Sequence, residues 1–256
     1  MRILVTGHKG FIGQNMMEAL ADHELTGYEW GDEPYSLDSI DRVIHLGAIS
    51  STACTDVEAL REQNVRFSFD LIGQCIERRI PIQMASSASV YGRDNTTFKE
   101  TDEPAPNTLY AHSKLLAELR YNLHKLPSTV QFFRYFNVYG KFEDHKGDQA
   151  SPYSKFRKQA ETGTIKLFEG SNNFRRDFVP VETVIDVHKK FFDITESGVW
   201  NVGTGEAKSF EAVAQQIAAE TGAKIEEIPM PEHLRGGYQA YTQADLTKLT
   251  NTLGVR

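Results

Sequence analysis

The first thirteen residues set the tightest limit on the fold. Met1-Arg2-Ile3-Leu4-Val5-Thr6 is a strand-forming run, and Gly7-His8-Lys9-Gly10-Phe11-Ile12-Gly13 follows at once and leads into a helix-forming segment. Strand, G-x-x-G-x-x-G turn and helix in that order let main chain approach a diphosphate, because Gly7, Gly10 and Gly13 put no side chain in the way. The helix behind the turn aims its unpaired N–H groups and the positive end of its dipole at the anion. The pattern predicts an α/β fold, a Rossmann-like doubly wound parallel sheet, with Gly7, Gly10, Phe11, Ile12 and Gly13 around a dinucleotide.

The rest of the chain extends this reading. Leu25 to Trp30 reads as a second strand ending near Gly31-Asp32-Glu33, where an acidic residue such as Asp32 can hold the adenosine ribose. Only a short polar link precedes the next buried strand, Asp41 to Ala48, so a helix and strand of the usual double-wound pattern are missing there. His45, inside that apolar run, reads as a core histidine. Asp56 to Arg79 reads as a long helix carrying Asn64, and Ile80 to Ala85 as a strand. The helix from about Leu109 to Lys125 leads to a strand at Thr129 to Tyr135. Beyond Gly140 the pattern becomes irregular and predicts a small C-terminal substrate lobe interleaved with the last strands. The expected division is a dinucleotide-binding part at 1–140 with a further strand and helix at about 177–205, and a substrate-binding lobe at 141–176 and 206–256.

Two local patterns carry chemistry. Tyr110 and Lys114 stand four residues apart at the start of a helix, which puts a phenol and an ammonium on one face. A nearby ammonium is expected to pull the phenol below its ordinary pKa of about 10, toward the working range of a general base. Ser86 and Ser87 end a strand of the predicted parallel sheet, where ligands of such sheets bind.

Composition excludes several classes. The 256 residues carry a net charge of -7 and no basic run, which argues against nucleic acid and against a membrane surface. No apolar stretch approaches the roughly 18 residues of a membrane span, and the N-terminus enters a strand directly, so a cytoplasmic protein is expected. Cys54 and Cys75 show no metal-ligand spacing; free thiols and no metal are expected.

In order, the glycine turn at Thr6 to Gly13, His45-Leu46-Gly47-Ala48, Ser86-Ser87, Tyr91-Gly92, the Tyr110/Lys114 pair and the run Arg134 to Gly140 resemble the extended short-chain dehydrogenase/reductase superfamily. Within it the chain looks most like the ADP-L-glycero-D-manno-heptose 6-epimerase family. That narrower match rests on Ile49-Ser50-Ser51-Thr52, Phe133 to Gly140, His145-Lys146-Gly147, Lys166 to Ser171, Arg176-Asp177-Phe178-Val179, Gly203-Thr204-Gly205 and Tyr238 to Leu246.

The resemblance implies a nucleotide-sugar epimerase that inverts a carbon through a ketone with bound NADP or NAD, NADP being the family's usual choice. A nucleotide-sugar 4-epimerase or reductase of the same superfamily is the alternative, and a non-catalytic NAD(P)-sensing protein a more distant one. By resemblance Ser87, Tyr110 and Lys114 are the hydride-transfer triad and Lys146 a second acid/base. Leu46, Gly47, Ala48, Asn64 and Val138 would line the cofactor with Gly10 and Phe11. Asn137, Phe168, Glu169, Gly170, Ser171, Arg176 and Tyr238 would contact a nucleotide-diphosphate sugar, where the planar fork of Arg176 suits a diphosphate. A homo-oligomer is expected. Asp148 and Lys155 depart from the family's serine and histidine. The missing segment after Trp30 removes a lysine that helps the family choose NADP, and Arg256 falls before the family's closing helix.

Overall fold

The computed structural model describes residues 1–92, 96–123, 126–232 and 239–254, with Asp148 in its main chain only. Strands β1 (Arg2–Thr6), β2 (Glu24–Tyr28), β3 (Arg42–His45), β4 (Ile82–Ser87), β6 (Val130–Tyr135) and β10 (Gly198–Val202) make a parallel sheet in the order β10-β6-β4-β3-β1-β2. Every residue of β3 and β6 is buried, as expected of parallel strands covered on both faces. On one side Phe11, Met16 and Leu20 of α1 (Phe11–Ala19) and its exit pack with Val181 and Ile185 of α6 (Val181–Lys190) against Ile3, Val5 and Ile44. On the other side Leu71, Ile72 and Cys75 of α3 (Phe67–Arg78) and Ala117 of α4 (Leu109–Leu119) cover Leu4, Val43, Ile82 and Phe132. Helices on both faces confirm the doubly wound architecture. No helix among the described residues is long and apolar enough to cross a membrane.

Among the described residues the sheet stops at β2, which pairs with β1 alone, in keeping with the short link after Trp30. β2 itself ends at Tyr28, two residues earlier than the sequence suggests. The Glu29 N–H donates to the Asp32 carboxylate (2.8 Å) and the Asp32 N–H to the Glu29 carbonyl (3.1 Å), so the chain turns there. α4 is also shorter than expected and ends at Leu119; Tyr121 just beyond it donates its hydroxyl to the Phe69 carbonyl at 2.9 Å. The long helix after Asp56 is in three parts. α2 (Val57–Leu60) runs into a π-helical turn, Arg61–Arg66, and then into α3.

A second lobe is built around another sheet. Its sheet has the order β11-β9-β13-β5, made from β11 (Ala207–Ser209), β9 (Arg175–Pro180), β13 (Tyr241–Ala244) and β5 (Thr96–Phe98), with β7 (Asn137–Tyr139) also on β9. β5 and β7 thus come from the N-terminal half. A separate core gathers Tyr153 and Phe156 of α5 (Pro152–Ala160), Ile165 and Leu167 of β8 (Thr164–Phe168) and Val213 and Ile217 of α7 (Phe210–Thr221). Asp177, fully buried, ties the lobe to the main sheet's exit. Its carboxylate accepts from the N–H groups of Thr204, Gly205 and Ala244 and from the Thr204 hydroxyl, at 2.7 to 3.1 Å.

Candidate active site

A cavity of about 270 Å³ opens at the C-terminal ends of β1, β3, β4 and β6. Gly7, Gly10, Phe11, Ile12, Gly13, Leu46, Gly47, Ala48, Tyr110, Lys114 and Lys146 all line it. Parallel strands place ligands there because the turns at their carboxyl ends diverge.

The glycine turn is packed as the spacing requires. A methyl group on Gly7, whose φ is +72°, would fall 2.5 Å from the Gly47 nitrogen, and one on Gly13 would fall 2.0 Å from the Gly7 carbonyl oxygen. Gly10 is different: among the described residues a methyl there would meet the Gly7 carbonyl alone, at 3.2 Å. Gly10 is also the N-cap of α1, with no side chain capping the helix and no acidic residue in its first turn. These exposed donors and this bare cradle fit a dinucleotide diphosphate.

α4 begins where the Thr108 hydroxyl accepts from the Ala111 N–H at 3.1 Å. This sets Tyr110 and Lys114 one turn apart on the face toward β4, each 8% exposed. Lys114 Nζ donates to the Ala85 carbonyl at 2.9 Å and lies 6.0 Å from the centre of the Tyr110 ring. Burial lowers the Lys114 pKa to about 8, although Glu118 acts to raise it. Glu118 is shared with Arg134, whose guanidinium approaches it at 2.6 Å in the interior.

The expectation that Lys114 pulls the Tyr110 phenol down is corrected here. Burial pushes the Tyr110 pKa up, and the opposing influence is a hydrogen bond with Ser87. The ammonium is turned to the Ala85 carbonyl, so desolvation dominates and the phenol holds its proton. Ser87, the last residue of β4, also accepts from the Ser89 N–H (3.2 Å) and hydroxyl (2.9 Å).

Lys146 comes from the short 3-10 turn Asp144–Gln149 and stands with its Nζ 5.3 Å from the centre of the Phe11 ring. Burial lowers its pKa, and the nearby Glu143 acts in the opposite sense. Glu143 is itself 2% exposed, accepts from the Ser151 hydroxyl at 2.7 Å and has its pKa raised by burial.

Other expected site residues lie elsewhere. The Asp32 carboxylate is committed to the Glu29 N–H and lies 3.9 Å from Lys9 Nζ; it does not line the cavity. Glu29 does. It is the first residue after β2, and its carboxylate accepts from the Lys9 N–H at 2.6 Å and sits 3.3 Å from His8 Nδ1. Glu29 also borders an adjoining pocket with Tyr28, Trp30, Gln63 and Phe67. Asn64 is a clasp and no cavity residue. Its side chain accepts from the Ile49 N–H (2.8 Å) and donates to the Ile49 carbonyl and the Ser113 hydroxyl (both 3.0 Å). Val138 is half-buried among the apolar residues packed beside Ile12 and Leu46.

The expected substrate residues sit in the second lobe, outside this cavity's lining. Phe168, Glu169, Gly170 and Ser171 form the turn after β8, closed by the Ser171 hydroxyl donating to the Phe168 carbonyl at 2.5 Å. Asn137 is exposed on β7. Arg176 is buried, donates to the Arg175 and Gln239 carbonyls at 2.8 and 2.5 Å and lies 5.7 Å from the Phe210 ring centre. Tyr238 lies outside the described residues. Sequence reasoning assigned no role to Tyr135, the last residue of β6, or to Ser50, both of which line the cavity. Tyr135 was signalled by its place at a strand's carboxyl end.

A glycine cradle at the first βα turn, with a buried tyrosine–lysine pair opposite it on a parallel sheet, defines the dinucleotide-dependent enzymes of the short-chain dehydrogenase/reductase kind. Residues 29–203 match the NAD dependent epimerase/dehydratase family, and the chain belongs to that family. Its fold is similar to that of ADP-L-glycero-D-manno-heptose-6-epimerase from Helicobacter pylori, at 24% identity and a TM-score of 0.84, covering 99% of this chain and 90% of that one. It is similar also to a Thermus thermophilus UDP-glucose 4-epimerase solved with NAD, at 25% identity and a TM-score of 0.82, covering 100% of this chain and 94% of that one. A Thermotoga maritima UDP-glucose 4-epimerase solved with UDP-glucose gives 24% identity and a TM-score of 0.87, covering 100% and 93%.

Proposed function

We propose that this protein is a nucleotide-sugar epimerase of the ADP-glyceromanno-heptose 6-epimerase type, inverting a sugar carbon through a transient ketone. The observation that carries the reading is that one cavity joins the glycine cradle, Tyr110 with Lys114, and Lys146. A nicotinamide dinucleotide bound at the cradle supplies a reversible hydride acceptor. The chain's own groups move the protons. One of them takes the hydroxyl proton as the C–H hydride leaves; the ketone turns over, hydride returns to its other face, and a second group gives a proton to the oxygen. Lys146, with its depressed pKa, is the base in one direction, and Tyr110, which holds its proton, is the acid; the roles exchange in reverse. Ser87 stabilises the phenolate when Tyr110 is the base, and Lys114 holds the nicotinamide ribose.

Asn137, the Phe168–Ser171 turn and Arg176 of the second lobe contact the sugar nucleotide, with the planar fork of Arg176 taking its diphosphate. A dehydratase is disfavoured, because Ala88 and Ser89 follow the serine where that chemistry places an Asp-Glu pair. Incubation with ADP-, UDP- and GDP-sugars, followed by NMR of the sugar protons, tests the function. Inversion of one carbon is expected; elimination of water, or no turnover of any sugar nucleotide, sinks it. Inversion of a UDP-hexose at C4 alone would name a 4-epimerase.

For the cofactor we favour NAD over the NADP that the resemblance suggests. Glu29 sits at the end of β2, where a carboxylate accepts from the ribose hydroxyls and repels a 2′-phosphate. Titration of the protein is expected to give tighter binding of NAD, with Glu29→Gln narrowing the gap; tighter binding of NADP by the wild type overturns this. The exposed side chains of Leu109, Leu116 and Leu119 share one face of α4 and support a homo-oligomer, which sedimentation checks.

A further inference from the structure

One buried polar chain reaches the cavity and has no part in the mechanism above. It starts four residues before Tyr135 on β6, on the same face of the sheet. Gln131 Nε2 donates to the carbonyls of Ile194 and Glu196, at 2.8 and 3.2 Å, and both of these can only accept. Gln131 Oε1 is thereby left as an acceptor for Gln83 Nε2 at 3.2 Å, and Gln83 Nε2 also donates to the His188 carbonyl at 3.1 Å. With its nitrogen so placed, Gln83 turns Oε1 to His188 Nδ1, 2.8 Å away, and Nδ1 must carry the proton. Burial pushes the His188 pKa down to about 3, so the ring is neutral and Nε2 offers only a lone pair. Nε2 lies 2.5 Å from the Tyr135 hydroxyl oxygen. The hydroxyl therefore donates its one proton inward. Gln83, Gln131 and His188 are 0% exposed, and Tyr135 is 7% exposed.

The geometry points to Tyr135 as a positioning residue for the cofactor: its hydroxyl is a fixed acceptor on the cavity floor that takes an N–H from the nicotinamide carboxamide. This rests on the cofactor reading given above. Tyr135 pairs with Ser87 across β6 and β4, and it lines the cavity with Ala85, Tyr110 and Lys114, which places it at the hydride-transfer end. A sugar hydroxyl both donates and accepts, so an acceptor-only group would discriminate little there. A carboxamide has a donor end and an acceptor end, so a fixed acceptor selects its NH2 end and thereby the ring face that the nicotinamide presents. The same lock removes Tyr135 as a proton source and leaves Tyr110 as the phenol that exchanges a proton with the sugar.

The test compares NAD with 3-acetylpyridine adenine dinucleotide, in which a methyl ketone replaces the amide and no N–H remains. Calorimetry on the full chain is expected to show that Tyr135→Phe shrinks the wild-type preference for NAD over the analogue by roughly 3- to 10-fold, the worth of one hydrogen bond. Equal weakening of both ligands, with the preference intact, is what a merely structural role produces and overturns the inference. Failure of the wild type to bind NAD removes the cofactor reading and this inference with it. Nitrogen NMR of the His188 ring in the wild type gives a second, ligand-free test. A neutral ring protonated on Nδ1 is expected from pH 5 to 8; protonation on Nε2 overturns the inference even if Tyr135→Phe fails to fold.

Discussion

The cavity draws its proton-carrying groups from two kinds of structure. Tyr110 and Lys114 stand on α4, a helix capped by Thr108 and packed on the sheet, and both are almost wholly buried. Lys146 stands on a short 3-10 turn whose next residue, Gly147, takes φ +50° and, among the described residues, meets no neighbour where a side chain would begin. The first pair is held by main-chain contacts that leave it little freedom. The turn is bridged at its two ends by the Ser151 hydroxyl donating to Glu143, and open space lies beside its Gly147. An epimerase that turns its ketone over needs that asymmetry. One acid/base must keep its register with the nicotinamide, and the other must meet an oxygen whose position changes during the reaction.

Breaking the fixed side should cost most. Tyr110→Phe is expected to lower turnover by about 10²- to 10⁴-fold with the fold retained, the usual worth of a general acid/base, as steady-state kinetics would show. Lys146→Ala should lower epimerisation in both directions by roughly 10²-fold while NAD still binds and one epimer exchanges hydride slowly through Tyr110. Near-normal epimerisation by this variant would mean that a single base serves both faces and would dissolve the contrast between the two sides.

Lys114→Met sharpens the contrast through stability. The folded pKa of about 8 lies below the lysine's ordinary 10.5, so the unfolded chain binds the extra proton between those values. The cost of burying the ammonium is full below pH 8 and is relieved as pH rises toward 10.5. Lys114→Met should therefore raise stability near pH 7 by about 1–3 kcal/mol, less at pH 10, in urea melts at the two pH values. Activity should fall at the same time. The smallest effect is expected from Glu143→Gln. Glu143 holds the Lys146 pKa up, so its neutralisation lets that pKa fall further. The limb of the pH–rate profile that needs the neutral amine should move to lower pH, with less than about a tenfold change in maximum rate.

What could be read from the sequence was whatever chemistry spaces locally. The glycine turn and the Tyr110/Lys114 pair are set by neighbours three or four residues away, so their geometry follows from one turn or one helix. Glu29 was missed because it depends on where β2 stops, and the Asp32 carboxylate that caps the Glu29 N–H settles that. The same contact explains why Asp32, the more obvious acidic residue, is occupied. The Tyr110 pKa was misjudged because spacing brings Lys114 near but does not reveal the Ala85 carbonyl that claims its ammonium. The chain behind Tyr135 could not be read at all. Tyr135 and His188 are 53 residues apart, and His188 and Gln83 are 105 apart. The irregular pattern after Gly140 gives no hint that β5 and β7 join the second sheet, through pairings that only the folded sheet supplies.

The π-helical turn at Arg61–Arg66 is equivalent to an α-helix with one residue too many. The surplus residue puts α2 and α3 out of phase. On the far side of the turn, Leu71, Ile72 and Cys75 meet the sheet; within it, Asn64 faces Ile49 and Ser113. Deleting Val65 would let regular bonding resume, but Asn64 would swing by about 100° relative to α3, since each residue of an α-helix advances by that angle. The shortened helix would be the more regular structure, and the loop behind Ala48 would lose its tether to α4. At this point of the chain the easiest route to a better helix leads away from the site, which is a reason for an otherwise unfavourable kind of turn to persist.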